Sequence, residues 1–588
     1  MIQEQKLVVE EQDLKKPEEA QSYLVADVGN SNTRVTLYDM VEGSYRLLAR
    51  GIAMSTIDFP WYDAKYGLDQ AIQQITMATG RVLLDGHGHL VQPAKAGGIG
   101  VDHFGAVVSA GDPIKVLIVG LLTEVSIASL RRALETIYAV EVDCLSLDDT
   151  RDRVAQVESI LYQRPELILL TGGTDGGADR RLMKLVYTVS IALSILDESQ
   201  RPMVVFAGNV ELQPQIKETL GTLTTLIITG NVRPEFDREN LDAAIGALAD
   251  IYLNKVCYEI SGLATIRAMS SMPLKTTAHS LAGITEYLAA VVQGRALCLD
   301  VGSRQITIAL TDQDRVNLLI RGDLGLGRPL GSLLLDGDPS TYLDWTFPDT
   351  TEQDIRDFIN SRVLRPSTLP FTEDALRIEQ SLLRQMLIQL KDDVAARWKW
   401  PGEQTPPIRL LLLRGGSVAN SVQPQPVLLA VLDAFQPAGV FRVAADGYSV
   451  LSAMGLLAAE NPTVTVQVLG EGALEEWGWV VVASGRSRPG DIVLQVQLET
   501  RNLGTLEVEV PAGALEVLTL PAGEVAVMIL TPAEKIDVGF GRGVSKKMRI
   551  SGGSIGLVID ARGRPLPIPS DAEARRNLRQ RWLRDITR

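Results

Sequence analysis

Two stretches decide how this chain folds: LVADVGNSNTRVTLYD at residues 24–39 and LCLDVGSRQITIALTD at residues 297–312. Each is an apolar strand, an Asp-Val-Gly step, a short polar turn and a second, alternating strand. A third strand follows each pair, Tyr45 to Arg50 and then Val316 to Arg321. Arg50-Gly51 and Arg321-Gly322 close them. Alternation with period two, broken by Gly, Asn and Ser, reads as a β-meander. Its return far along the chain reads as an internal repeat and predicts two lobes of related topology.

Between the copies the pattern switches to strands alternating with helices. Strands are expected at Lys115 to Val119, Val140 to Ser146, Leu167 to Thr171, Met203 to Ala207 and Leu226 to Thr229, with amphipathic helices between them. That alternation predicts βαβ units and a mostly parallel sheet. After the second meander come a long helix (Glu373 to Trp398), strands at Ile408 to Leu413 and Val440 to Val443, and a helix from Tyr448 to Ala459. Asn461-Pro462 reads as a boundary. Beyond it, short strands begin with Val464 to Leu469 and continue through Trp477 to Val482, Ile492 to Leu498 and Leu506 to Val510. They predict an independently folding β-sandwich or barrel.

The expected division is therefore a flexible acidic arm (1–21), a first lobe carrying a Rossmann-like α/β region (22–260) and a second lobe (261–462). An all-β domain (463–565) and a basic helical tail (566–588) follow. The arginine-rich tail reads either as a solvated helix or as a docking helix for an acidic surface.

Composition narrows the function classes. The 588 residues carry a net charge of -15, which favours neither nucleic acid nor an anionic membrane as partner. Cys144, Cys257 and Cys298 lie far apart without metal-ligand spacing and read as reduced. The N-terminus lacks the pattern of a secretory signal, and no apolar run spans a bilayer. A soluble, cytoplasmic protein is expected.

Phosphate binding needs several backbone N–H groups converging at close range, which small residues in a tight turn allow. Asp27, Val28, Gly29, Asn30, Ser31, Asn32 and Thr33 form one such turn; Asp300, Val301, Gly302, Ser303, Arg304 and Gln305 form the other. Two hairpins facing each other could grip a polyphosphate from both sides. Asp27 and Asp300 cannot touch phosphate directly. They are expected to hold water on Mg²⁺ or to orient an attacking water. A third element, the apolar strand ending in Arg414-Gly415-Gly416-Ser417, offers a flat surface for adenosine. Asp446-Gly447-Tyr448 and Ala453-Met454-Gly455 complete the order.

This order resembles the actin, sugar-kinase and heat-shock-chaperone ATPase superfamily, which implies ATP and Mg²⁺ as ligands. A narrower resemblance rests on Gly172, Gly173, Thr174, Asp175, Gly176 and Gly177 after Thr171, with Ala207-Gly208-Asn209, Asn231-Val232-Arg233-Pro234 and Gly322-Asp323-Leu324-Gly325. These stretches look like the glutamate mutase MutL family, over about Tyr23 to Glu460. The resemblance implies an ATP-driven reactivation chaperone for an adenosylcobalamin-dependent mutase. A nucleotide-binding scaffold with little hydrolysis is the alternative, and a small-molecule kinase the third. Ser303 and Gln305 depart from the superfamily, where a Gly and a Thr are usual, so slow hydrolysis is expected.

The Gly172–Gly177 loop, between a strand and a helix, is a candidate ligand or partner loop with Asp175 as a polar anchor. His87, His89 and His103 lie close in sequence, but no carboxylate or cysteine completes a metal set; Gly86 to His89 reads as a hairpin tip.

Overall fold

The computed structural model describes residues 21–177, 180–312, 315–336, 339–502 and 504–588. The acidic arm expected over 1–21 lies outside them except for Gln21.

Both meanders form, and each seeds a sheet of the same order. In the first lobe the strands run Ser44–Met54, Asn32–Val41, Tyr23–Val28, then His103–Val108 and Lys275–Thr276. The first three are antiparallel and the last two join in parallel. In the second lobe Arg315–Arg321, Ile306–Asp312 and Ala296–Val301 are followed in parallel by Leu410–Gly415 and Gly439–Ala445. The central strands are apolar along both faces because each face is covered: every residue of Tyr23–Val28 is buried. This is the two-lobed, actin-like arrangement with a duplicated meander.

The lobes meet through two helices. Thr277–Val291, capped by Thr276, crosses Val450–Glu460 so closely that a Cβ on Gly455 would lie 1.9 Å from the Ser280 carbonyl oxygen. Ser280 Oγ donates to the Ser452 carbonyl at 2.9 Å across that crossing.

Between His103–Val108 and Lys275–Thr276 the first lobe carries the α/β region as an insert. Its sheet is parallel throughout, in the order Ala139–Leu145, Ile114–Val119, Leu167–Leu170, Met203–Phe206, Leu226–Ile228. The order reverses between Ile114–Val119 and Leu167–Leu170, a switch point in a doubly wound sheet.

The C-terminal region departs from expectation in three ways. Pro462–Gly470 is a helix, not a strand; Pro462 sits at its first turn, where its missing N–H costs nothing, and the Asn461 side chain accepts from Thr463 N. Its valines and threonines favour strands intrinsically, but burying Val464, Thr465 and Val468 decides the outcome.

Secondly, the strands after it do not form a separate body. Glu475–Val482 pairs antiparallel with Gly439–Ala445, and Gly556–Asp560 and Leu515–Leu518 extend the same sheet to eight strands. Trp477, Val480 and Val482 enter the second-lobe core beside Leu411 and Phe441. Gly504–Pro511, Ile492–Thr500, Val525–Pro532 and Lys546–Ser551 make a four-stranded sheet of their own, and it packs on the other face of that extension.

Thirdly, the basic helix Ala572–Thr587 is not a free tail, because one of its faces docks on the chain itself. It buries Trp582, Leu583 and Ile586 on the second lobe. Arg575 and Arg579 both donate to Asp344. Arg562 stacks over the Trp582 ring at 4.6 Å while pairing with Asp433 and Asp560.

Two outcomes follow. A fragment of residues 463–560 is expected to aggregate or melt without cooperativity, because excision strips the Glu475–Val482 strand of its Gly439–Ala445 neighbour and bares Trp477. A sharp thermal transition of the isolated fragment by circular dichroism would contradict this. Trp582→Ala in the full chain is expected to cost about 3–5 kcal/mol, the usual range for emptying a buried aromatic site, read from urea unfolding.

Candidate functional site

The two Asp-Val-Gly hairpins and the Gly415-Gly416 turn line one cleft between the lobes. Each hairpin is closed by the glycine N–H: Gly29 N donates to Asn32 O at 3.1 Å and Gly302 N to Gln305 O at 2.9 Å. The Gly415 φ is +118°, and a Cβ there would lie 2.1 Å from the Val301 carbonyl oxygen, so only glycine lets these strand ends touch. Gly416 is different. A Cβ there would meet no atom within 4 Å, so the position opens onto free space.

Several residues expected to contact phosphate are employed elsewhere. Asn30 staples its hairpin to the neighbouring loop, donating to Ser109 O at 3.0 Å and accepting from Gly111 N at 3.1 Å. Arg304 is buried and reaches into the first lobe, where it pairs with Asp58 and Asp112 at 2.8 Å each. Ser31 and Ser303 meet across the cleft, hydroxyl to hydroxyl, at 2.6 Å. Thr33 Oγ1 and Gln305 Oε1 are buried without a hydrogen-bond partner. Ser417 and Asn32 line the cleft. The Gly322–Gly325 motif lies behind the second hairpin: Leu326 N donates to Gly302 O at 3.0 Å, and a Cβ on Gly325 would come within 2.9 Å of the Arg304 backbone.

The centre of the site is a residue that sequence reasoning passed over. Arg414 ends the Leu410–Gly415 strand and is only 4% exposed. Its guanidinium pairs with Asp27 of the first hairpin, with Asp300 of the second at 2.6 Å, and with Asp446 at 3.4 Å. Burial works against its charge, and the three carboxylates, Asp300 foremost, outweigh it and hold the arginine more firmly protonated than usual. Asp27 also accepts from Ser452 Oγ at 2.9 Å and Thr277 Oγ1 at 3.2 Å. Asp446 caps the helix Val450–Glu460 through Val450 N and Leu451 N, at 2.7 and 3.0 Å. Its burial pushes its carboxyl above the usual range, against the pull of Arg414 and those N–H groups. The available signal was a charge closing a run of four leucines, since a buried cation implies carboxylates around it.

Arg34 lies opposite Asp27 in the meander and also lines the cleft. No salt bridge joins it to another described residue. Burial and then the neighbouring Arg414 lower its basicity, while Asp27, Asp300 and Asp446 oppose them.

The magnesium expected through water near Asp27 and Asp300 does not fit this donor set, because a water held there would have to displace Arg414 from carboxylates it already pairs with. Mg²⁺ demands near-octahedral oxygen ligation and usually takes one or two carboxylates. Here both carboxylates are already bound to one guanidinium. The histidines serve elsewhere: His87 N and His89 N donate to Asp85 in a turn, and His103 stacks on Tyr23.

In the insert, the glycine-rich loop leaves the strand Leu167–Leu170 at the switch point, and the other motif segments converge on it. Asp175 Oδ1 accepts from Asn231 Nδ2 at 2.9 Å and Val210 N at 3.2 Å, while Asn209 Oδ1 accepts from Gly176 N at 3.2 Å. Asn231 also donates to Gly173 O. Asp175 is thus an anchor for its own loop.

No helix among the described residues is long and apolar enough to cross a membrane.

A family model described as MutL protein matches residues 23–472. Protein MutL of Clostridium tetanomorphum is 21% identical over 487 residues, covering 76% of this chain and 98% of that protein. Among solved structures, nucleotide-free acetone carboxylase covers 83% of this chain and 81% of its own, at 14% identity and a TM-score of 0.35. Component A of the (R)-2-hydroxyglutaryl-CoA dehydratase of Acidaminococcus fermentans covers 74% and 96%, at 8% identity and a TM-score of 0.27. The match to the family model takes in both meanders, the insert, the Arg414-Gly415-Gly416 turn and the helix that Asp446 caps, which places the chain in the MutL protein family.

Proposed function

We propose that this protein binds ATP in the interlobe cleft, uses the binding to part its lobes, and serves as an ATP-dependent reactivation chaperone for an adenosylcobalamin-dependent mutase in the cytoplasm. The observation that carries the nucleotide reading is that both Asp-Val-Gly hairpins and the Gly415-Gly416 turn line a single cleft. Membership of the MutL family supports the mutase as partner.

The coupling to motion rests on what closes the cleft. The cavity measures about 120 Å³, below the roughly 300–1,000 Å³ of ordinary small-molecule sites. A triphosphate entering between the hairpins must separate Ser31 from Ser303 and move Arg304 against Asp58 and Asp112. Binding energy is thereby spent on relative movement of the lobes, which is what a protein that pries open a partner requires. Hydrolysis is slow in this reading, because Asp27 and Asp300 both serve Arg414 and neither is free to orient a water.

Calorimetry of the full chain with ATP is expected to show saturable binding. Gly416→Val should weaken it tenfold or more while leaving the melting temperature within a few degrees, since the added side chain meets only the space the ligand needs. Equal affinity in both proteins would remove the adenosine assignment. Steady-state phosphate release is expected below about 0.1 s⁻¹, against a median near 10 s⁻¹ for enzymes at large. A rate above about 1 s⁻¹ would show that a carboxylate is available for catalysis. For the partner, an adenosylcobalamin-dependent mutase inactivated by turnover should regain activity when this chain and ATP are added together, and not with either alone. No recovery would count against the chaperone role.

A further inference from the structure

The cleft has two features that a site built around a bridging metal does not need. The place between the two hairpin aspartates is filled by a guanidinium of the chain itself. A second guanidinium, Arg34, stands in the same cleft with no carboxylate partner among the described residues. We infer that the nucleotide's polyphosphate is held without a bridging divalent cation, Arg414 standing where that cation would stand and Arg34 contacting the phosphate. The inference rests on the nucleotide reading above.

Arg414 is not free to move aside. It is 4% exposed, its third partner Asp446 is 2% exposed, and Ser452 Oγ lies 3.3 Å from it. Withdrawing it would leave two hairpin carboxylates unneutralised, together with a buried guanidinium deprived of two of its three partners. Breaking buried ion pairs in this way is strongly unfavourable. A magnesium ion reaching Asp27 and Asp300 would have to meet that cost in addition to its own dehydration.

The charge on the wall agrees. The ionisable side chains lining the cleft are Asp27 and Asp300 on one side of the account and Arg34, Arg304, Arg362 and Arg414 on the other. Arg362 and Arg304 already face Glu379 and the pair Asp58 and Asp112. Asp27 and Asp300 face Arg414. Arg34 is left over, on the strand directly after the first hairpin turn. A planar guanidinium in that position presents paired N–H donors to phosphate oxygens.

The test is calorimetry of the full chain with ATP, in excess Mg²⁺ and again in EDTA. Dissociation constants within about threefold of each other are the expected result. Arg34→Gln should weaken ATP tenfold or more in both buffers, with Arg34→Lys recovering part of the loss. Binding in Mg²⁺ that falls thirtyfold or more in EDTA would overturn the inference and leave the nucleotide reading standing. Absence of binding in both buffers would remove the nucleotide reading and this inference with it. Mn²⁺ titrated into the ligand-free chain and followed by electron paramagnetic resonance gives an independent arm. No saturable site is expected; a site that Asp300→Asn abolishes would overturn the inference without reference to nucleotide.

Discussion

One buried guanidinium fixes the relation between the two lobes. A cation out of water must be surrounded by anions or by hydrogen-bond acceptors. Arg414 finds one carboxylate on each hairpin and a third beneath it. Asp27 belongs to the first lobe, and Arg414, Asp300 and Asp446 to the second. The arginine therefore joins the lobes at the point where their repeated turns face each other. The neighbouring constraints fall into place around it. Gly415 must lack a side chain so that the strand carrying Arg414 can lie against Val301. Asp446 must stay buried at the head of its helix, and that helix must cross Thr277–Val291 closely enough for Ser452 and Thr277 to reach Asp27.

The remaining cross-cleft contacts are of a weaker kind. Ser31 to Ser303 is a single neutral hydrogen bond. Arg304 is buried, but its partners Asp58 and Asp112 have side chains 48% and 74% exposed, so solvent screens both pairs. The cleft is thus held by one strong buried cluster and an outer ring of contacts that water or a phosphate can replace. A ligand approaching from outside meets the replaceable ring first. Under the proposed function this gradation would let the lobes part at the rim while they stay joined at the base.

Much of this was legible in the sequence. The duplicated Asp-Val-Gly turn gave away the two lobes because close packing of strand ends leaves only small residues acceptable there. The insert was legible from strands and helices of conventional length. Three things were not. Pro462–Gly470 carries β-branched residues, and only tertiary burial makes it a helix. The continuity of the second-lobe sheet through Glu475–Val482 depends on which edge a strand pairs with, and strand composition is silent on that. The roles of Arg414, Arg304 and Asn30 depend on direction. A residue next to a turn can face the ligand, the other lobe or its own loop, and sequence spacing does not distinguish these.

The insert shows how far a movement of the lobes would carry. It is covalently part of the first lobe, leaving and re-entering beside the same sheet. Yet Ile320 N of the second lobe donates to Glu135 O of the insert at 2.9 Å, Arg397 pairs with Glu135, and the Tyr138 ring occupies the space that a Cβ on Gly322 would need. Glu135 is largely buried there, and burial, ahead of the opposing pull of Arg397, raises its carboxyl above the usual range. Contacts of this kind do not stretch; they hold or they break. If the lobes turn about the Arg414 cluster, the insert must either follow the second lobe, straining its two connections to the first, or give up the Glu135 and Tyr138 contacts. Its glycine-rich loop is internally bonded through Asp175 and Asn231, so the insert would move as one piece. Under the proposed function the lever would therefore be the insert as a whole, and the interface at Glu135 would set which lobe it travels with.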